Sequence, residues 1–268
     1  MNRLAAFATL VLLSGFAEQA AGQPAPLKLN DETVSVVRGA QAGILVLPDG
    51  KPPFPAVVLM HGCGGVTQNM QVWAKRLRRW GYAALILDSF EQRGIDNVCN
   101  HGSRFPGRER AKDAFAAGAY LRARTDIDPA HIGLIGFSHG GVTALAAAVQ
   151  NRLNAYNAQA FAAVVAYYPG CPAVAPQLAS DVQILIGSAD DWTPAERCAN
   201  WVPLYDKASA HKPLLKIYPG AVHAFDARAP LRMYMGHKLG YDAKAAEDSF
   251  KVTRQFLASH LRTETPHE

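Results

Sequence analysis

Ser138 lies in the run HIGLIGFSHGGVTALAAAVQ, with Gly136 and Gly140 two residues away on either side. A serine hydroxyl is a poor nucleophile until a base takes its proton, so chemistry at Ser138 requires a histidine and a group that orients it. The G-x-S-x-G spacing is that of a sharp strand-to-helix turn that exposes the serine, and side chains at the glycine positions would collide with the helix or neighbouring strands. A pattern this short recurs by chance. Its setting carries the argument, because HIGLI reads as a buried strand and VTALAAAVQ as a helix.

On such a turn the partners follow in the order serine, acid, histidine, each on a loop after a later strand. The run VQILIGS leads into Asp190 and Asp191 within GSADDWTP, and LLKIYPG leads into AVHAF, which carries His223. Of the nine histidines, His223 follows a strand at the required place. His139 adjoins the serine and projects differently, while His211, His237, His260 and His267 read as helical or tail residues. Chain order alone leaves both aspartates open as the orienting acid. Acyl transfer also needs donors aimed at an oxyanion, and AVVLM runs into His61-Gly62-Cys63-Gly64-Gly65, where the Cys63 amide pairs naturally with that of His139.

The elements that must position these groups are legible as an alternation. Strand-length apolar runs TVSVVRG, GILVLP, AVVLMHG, AALILD, HIGLIGF, AAVVAYYP, VQILIGS and LLKIYPG are separated by helical spacings over 69–80, 108–124, 142–151, 195–210 and 242–261. Runs that are apolar throughout, as most are from AVVLM onward, suit strands covered on both faces, and the pattern predicts an α/β fold with a mostly parallel sheet. The first two runs are close enough to pair antiparallel at a sheet edge. The polar segment from Glu91 to Pro106 reads either as a substrate wall beyond a strand end or as a plain surface connection. Asp88 ends a strand but precedes the serine, so its expected job is to hold that segment. Arg93 and Trp192 are candidate substrate-binding residues, with Tyr168, Phe90, His101 and Arg104 as further lining candidates.

The chain has 268 residues, 49% hydrophobic and 18% charged, with formal charge +5. That is enough to bury a core, and the basic residues are scattered, so no nucleic-acid partner is expected. Residues 1–22 read as a signal peptide, with Arg3 ahead of an apolar stretch from Leu4 to Ala17 and small residues at Ala20–Gly22. Residues 23–268 are then expected to form a single domain, exported to the periplasm or beyond, with no stable membrane insertion of the mature chain. No HExxH or closely spaced ligand set implies a metal, and no cofactor is implied. Four cysteines in an oxidising compartment suit two bridges. Strand placement favours Cys171 with Cys198, both at one end of adjacent strands, and then Cys63 with Cys99.

Taken together, HGCGG, the Asp88–Phe90 DSF segment with Arg93-Gly94, the GFSHGG turn, Gly187, Asp190 and Pro194 in their G-x-x-D-x-x-x-P spacing, and YPGAVHAF at Tyr218–Phe225 resemble the dienelactone hydrolase family of α/β-hydrolases. The resemblance spans roughly Val34 to Leu261. It implies an eight-stranded sheet with helices on both faces and a triad of Ser138, Asp190 and His223. Dienelactone hydrolases proper carry a cysteine nucleophile, and this chain has Ser138 instead. The expectation is a serine hydrolase that cleaves a small-molecule carboxylic ester through an acyl-enzyme. Alternatives are acyl transfer or amide hydrolysis by the same residues, or a non-catalytic binding protein on the same fold.

Overall fold

Eight apolar runs become eight strands, and their order places every candidate residue at one end of one sheet. The computed structural model describes residues 31–36, 41–205 and 209–261. Residues 1–22, read above as a signal peptide, lie outside them. The strands are β1 (Asp31–Val36), β2 (Gln41–Val46), β3 (Phe54–Met60), β4 (Ala83–Asp88), β5 (Ile127–Phe137), β6 (Ala163–Tyr167), β7 (Val182–Gly187) and β8 (Pro213–Tyr218). They form one sheet in the order β1-β2-β4-β3-β5-β6-β7-β8. β1 with β2 and β2 with β4 are antiparallel, and all later pairs are parallel.

Helices α1 (Gln68–Arg79), α2 (Ala111–Arg122), α3 (His139–Ala147), α4 (Gln150–Tyr156), α5 (Ala195–Trp201) and α6 (Ala243–Leu261) connect and flank the strands. β4, β6 and β7 are buried along almost their whole length, which is why their sequences lack polar alternation. β8 lies at the edge and leaves Leu214 and Ile217 exposed. Each apolar side chain fully buried between the layers contributes about 1.5–3 kcal/mol relative to exposure.

Three local expectations change. The single helix expected over 142–151 is two, α3 and α4, because Val149 is extended (φ −87°, ψ 125°) and bridges Leu178. The helix expected over 195–210 ends at Trp201 in a 3-10 turn, Val202–Leu204, where Pro203 has no N–H to continue the ladder. A two-stranded hairpin absent from the sequence reading, β9 (Arg232–Tyr234) with β10 (His237–Leu239), follows the loop that carries His223. Among the described residues no helix is long and apolar enough to cross a membrane.

Candidate active site

β5 ends at Phe137 and α3 begins at His139, so one residue makes the turn between them. Ser138 does so at φ 53° and ψ −115°, a conformation that L side chains rarely adopt and that the surroundings must impose. Its N–H donates to the Tyr167 carbonyl on neighbouring β6 (2.9 Å), and its carbonyl accepts the Val142 N–H (3.0 Å) to open α3. A Cβ at Gly136 would overlap the Gly140 carbonyl, and one at Gly140 would overlap the Met60 carbonyl. Those overlaps explain the two glycines in the sequence pattern.

His223 follows β8 and is 2% exposed. Its Nδ1 lies 2.7 Å from Asp190 Oδ2 and its Nε2 lies 2.9 Å from Ser138 Oγ. An ionised carboxylate only accepts, so the network assigns the proton to Nδ1 and leaves the Nε2 lone pair facing the serine hydroxyl. Asp190, 4% exposed, accepts at Oδ1 from the backbone N–H groups of Trp192 (3.0 Å) and Thr193 (2.9 Å). The Thr193 hydroxyl lies 2.9 Å from Oδ2 and 3.0 Å from the Tyr168 carbonyl, to either of which it can donate. Such donors compensate the burial of a carboxylate. Asp191 is exposed and turns away, accepting the Lys238 N–H (3.1 Å) near His237 Nδ1 (3.5 Å).

Two aromatic rings pack against the imidazole, Tyr168 at 4.6 Å and Trp192 at 5.1 Å between centroids. Tyr168 donates its hydroxyl to Asp226 (2.7 Å), which also accepts from Asn69 Nδ2 (2.9 Å) and Trp73 Nε1 (2.8 Å). Burial and the Asp226 carboxylate push the Tyr168 phenol well above its ordinary pKa, so it stays a donor. Trp192 in turn stacks on His237 of the hairpin (4.8 Å). The structure thus brings Trp192 beside His223.

The loop His61–Gly65 leaves β3 directly next to the turn, and a Cβ on Gly62 would lie 3.7 Å from the Ser138 Cβ. Cys63 is bonded to Cys99, and its carbonyl accepts the Val98 N–H (2.8 Å), so the Glu91–Pro106 segment is tied to this loop. Phe90, Val98 and Phe105 form a small buried cluster there, which makes the segment packed wall rather than plain connection. Asp88 accepts the backbone N–H groups of Phe90 and Glu91 and holds its start. A second bridge joins Cys171 to Cys198.

Arg93, read above as a candidate substrate-binding residue, spends its guanidinium elsewhere. It makes two 2.9 Å bonds to the buried Asp113, donates to the Ser89 carbonyl (2.6 Å) and lies over Phe105. Its donors are therefore directed into the protein. His101 and Arg104 are exposed. Sequence reasoning missed Thr193 and Arg110. The spacing Asp190-x-x-Thr193, in which an aspartate caps backbone N–H groups two and three residues on, is a readable signal for the first. Nothing in RERAKDAF separates a buried arginine from a solvated one.

With this geometry in view, the relatives are informative. A protein provisionally named a carboxymethylenebutenolidase from Methylorubrum extorquens is 25% identical over 227 residues, 80% of this chain and 75% of its own. The crystal structure of a dienelactone hydrolase from Anabaena variabilis matches with TM-score 0.64 and 20% identity, covering 87% of this chain and 97% of that one. A thermophilic esterase from Thermogutta terrifontis matches with TM-score 0.63 and 17% identity, over 88% and 96%. Both structures share the fold. The family model described as the dienelactone hydrolase family matches residues 41–261, and the chain belongs to that family of hydrolases.

Proposed function

We propose that this protein is an exported serine hydrolase that cleaves carboxylic esters through an acyl-enzyme. The observation that carries the reading is the continuous hydrogen-bonded chain from Ser138 Oγ through the His223 imidazole to Asp190, 2.9 Å and then 2.7 Å. Ser138 Oγ attacks the ester carbonyl carbon while its proton passes to His223 Nε2, and Asp190 stabilises the resulting imidazolium. The carbonyl oxygen, now an oxyanion, is received by the amides of Cys63 and His139. Collapse breaks the ester C–O bond, and the leaving alcohol takes the proton from His223. Water, deprotonated by the same imidazole, attacks the acyl carbon; the acyl carbon–Oγ bond then breaks, Ser138 Oγ takes the proton back from His223, and the acid is released. Two disulfides fit an oxidising compartment and, with the leader in residues 1–22 and one domain over residues 23–268, support export.

The test is a panel of open-chain esters and lactones, lactones included because a butenolide ring is closed by an ester bond, assayed beside labelling by an alkyl phosphonate. Wild type should give one adduct, on the Ser138 peptide. Ser138→Ala should give none and turn over its best ester at least ~10³-fold more slowly. Near wild-type turnover by pure Ser138→Ala would overturn the serine mechanism.

A further inference from the structure

Arg110, at the N-terminal boundary of α2, has no solvent exposure. Its guanidinium reaches the ends of three adjacent strands. One terminal nitrogen donates to the His61 carbonyl after β3 (3.0 Å) and to His139 Nδ1 after β5 (2.8 Å). The other lies 3.3 Å from His61 Nε2 and 3.5 Å from Ser89 Oγ after β4. Its face covers the Phe90 ring at 4.9 Å.

Both histidines are set as neutral acceptors for this cation. His61 Nε2 already accepts the Ser89 N–H (3.2 Å), so its proton is on Nδ1, which donates to the Gly62 carbonyl (2.8 Å). His139 accepts at Nδ1, and burial together with Arg110 lowers its pKa to about 4. Burial draws the guanidinium down to about 9, opposed by the nearby Asp113 and Asp88, so it remains charged at neutral pH.

The two segments joined by Arg110 are the ones that carry the Cys63 and His139 amides, assigned above to the oxyanion. The β3–β5 ladder ends at Met60 opposite Gly136, so no ladder bond continues beyond it into the loops. We propose that Arg110 is a positioning residue for acyl transfer: by bridging His61 and His139 it fixes the spacing between the Cys63 and His139 amides. Gly107 lets the segment leading to Arg110 press against the turn, since a Cβ there would lie 2.9 Å from the His139 carbonyl oxygen. An arginine suits the task because its rigid plane carries five donors, whereas a lysine ammonium is a point charge that cannot keep the fork geometry.

The proposal rests on Ser138 as the nucleophile, so the experiment reports on both. Wild type, Arg110→Lys, His139→Leu and the double variant are compared for kcat, KM, phosphonate labelling of Ser138, circular dichroism and Tm. The expected result is a folded Arg110→Lys with kcat lowered roughly 10- to 100-fold, KM within about threefold, and labelling slowed in parallel, since the phosphonyl oxygen uses the same amides. His139→Leu, which leaves Arg110 no acceptor there, should lose a similar factor, and the double variant no more than the worse single, because both break one link. If Arg110→Lys does not fold, His139→Leu decides, with the same drop in kcat at unchanged KM expected. Folded variants with wild-type kcat, or fully additive losses, overturn the positioning role while leaving Ser138 in place. Absence of a Ser138 adduct in wild type overturns the underlying reading and this one with it.

Discussion

A carboxylate orients a histidine only where it is held from both ends, dry enough to feel the imidazole and supplied with enough donors to stay charged. Asp190 meets both conditions, with four hydrogen-bond contacts to its two oxygens. Asp191, one residue on, is exposed and pins the hairpin through Lys238 and His237. Asp190→Asn should lower kcat by about 10³- to 10⁴-fold through loss of the correct tautomer, whereas Asp191→Asn should cost less than about tenfold. Steady-state kinetics on the best ester decide, and the reverse ranking would mean that the acid is misassigned. Chain order narrowed the acid to these two positions, but order says nothing of burial. The resemblance at Gly187 and Pro194 selected Asp190. Arg93 was read by charge and loop position alone, and its Asp113 partner, on a helix twenty residues away, carries no local signal.

At the scale of elements, the alternation of strands and helices was readable because strands covered on both faces cannot hide their apolar runs. The hairpin of β9 and β10 was not, since strands of three residues are too short for period-two alternation. Its turn, Met235-Gly236, uses positive φ at both positions (53° and 83°) without the Asn-Gly or Asp-Gly that announces such turns. The Glu91–Pro106 segment has little regular structure and depends on its small apolar cluster, the Asp88 cap and the Cys63–Cys99 bridge. Replacing both cysteines by serine should free the segment and the His61–Gly65 loop together. Trypsin should then cut at the exposed Arg104 several times faster than in wild type, and kcat should fall. The Cys171→Ser/Cys198→Ser variant serves as control, because that bridge joins the loop after β6 to α5. Equal cutting at Arg104 in the two variants would show that the bridge does not hold this wall.

For the whole molecule, the sheet does more than carry loops, because burying Arg110 between His61 and His139 requires three strand ends and a helix start to close over it. That enclosure makes stability depend on pH in a defined direction. His139 is drawn to about 4 by burial and Arg110, and His61 is held well below its usual value by burial first and Arg110 second. Both folded-state values lie below those of an unfolded chain, near 6.5, so between about pH 4 and 6.5 the unfolded state binds more protons. The stabilisation is complete above pH 6.5 and is lost as pH falls toward 4. A second loss follows in stronger acid, where Asp126, held down by its hydrogen bonds from Arg124, and Asp248, held down by Lys216, take up protons. The melting temperature should therefore begin to fall below pH 6.5, well before ordinary carboxylates titrate. His139→Asn keeps an acceptor near the Nδ1 position for Arg110 but cannot be protonated, so the early part of its fall should be visibly shallower than that of wild type. Calorimetry across pH 4 to 8 on both proteins reads this directly. A flat wild-type profile down to pH 4.5 would mean that the two histidines charge without opening the fold, and that the enclosure around Arg110 is looser than its contacts describe.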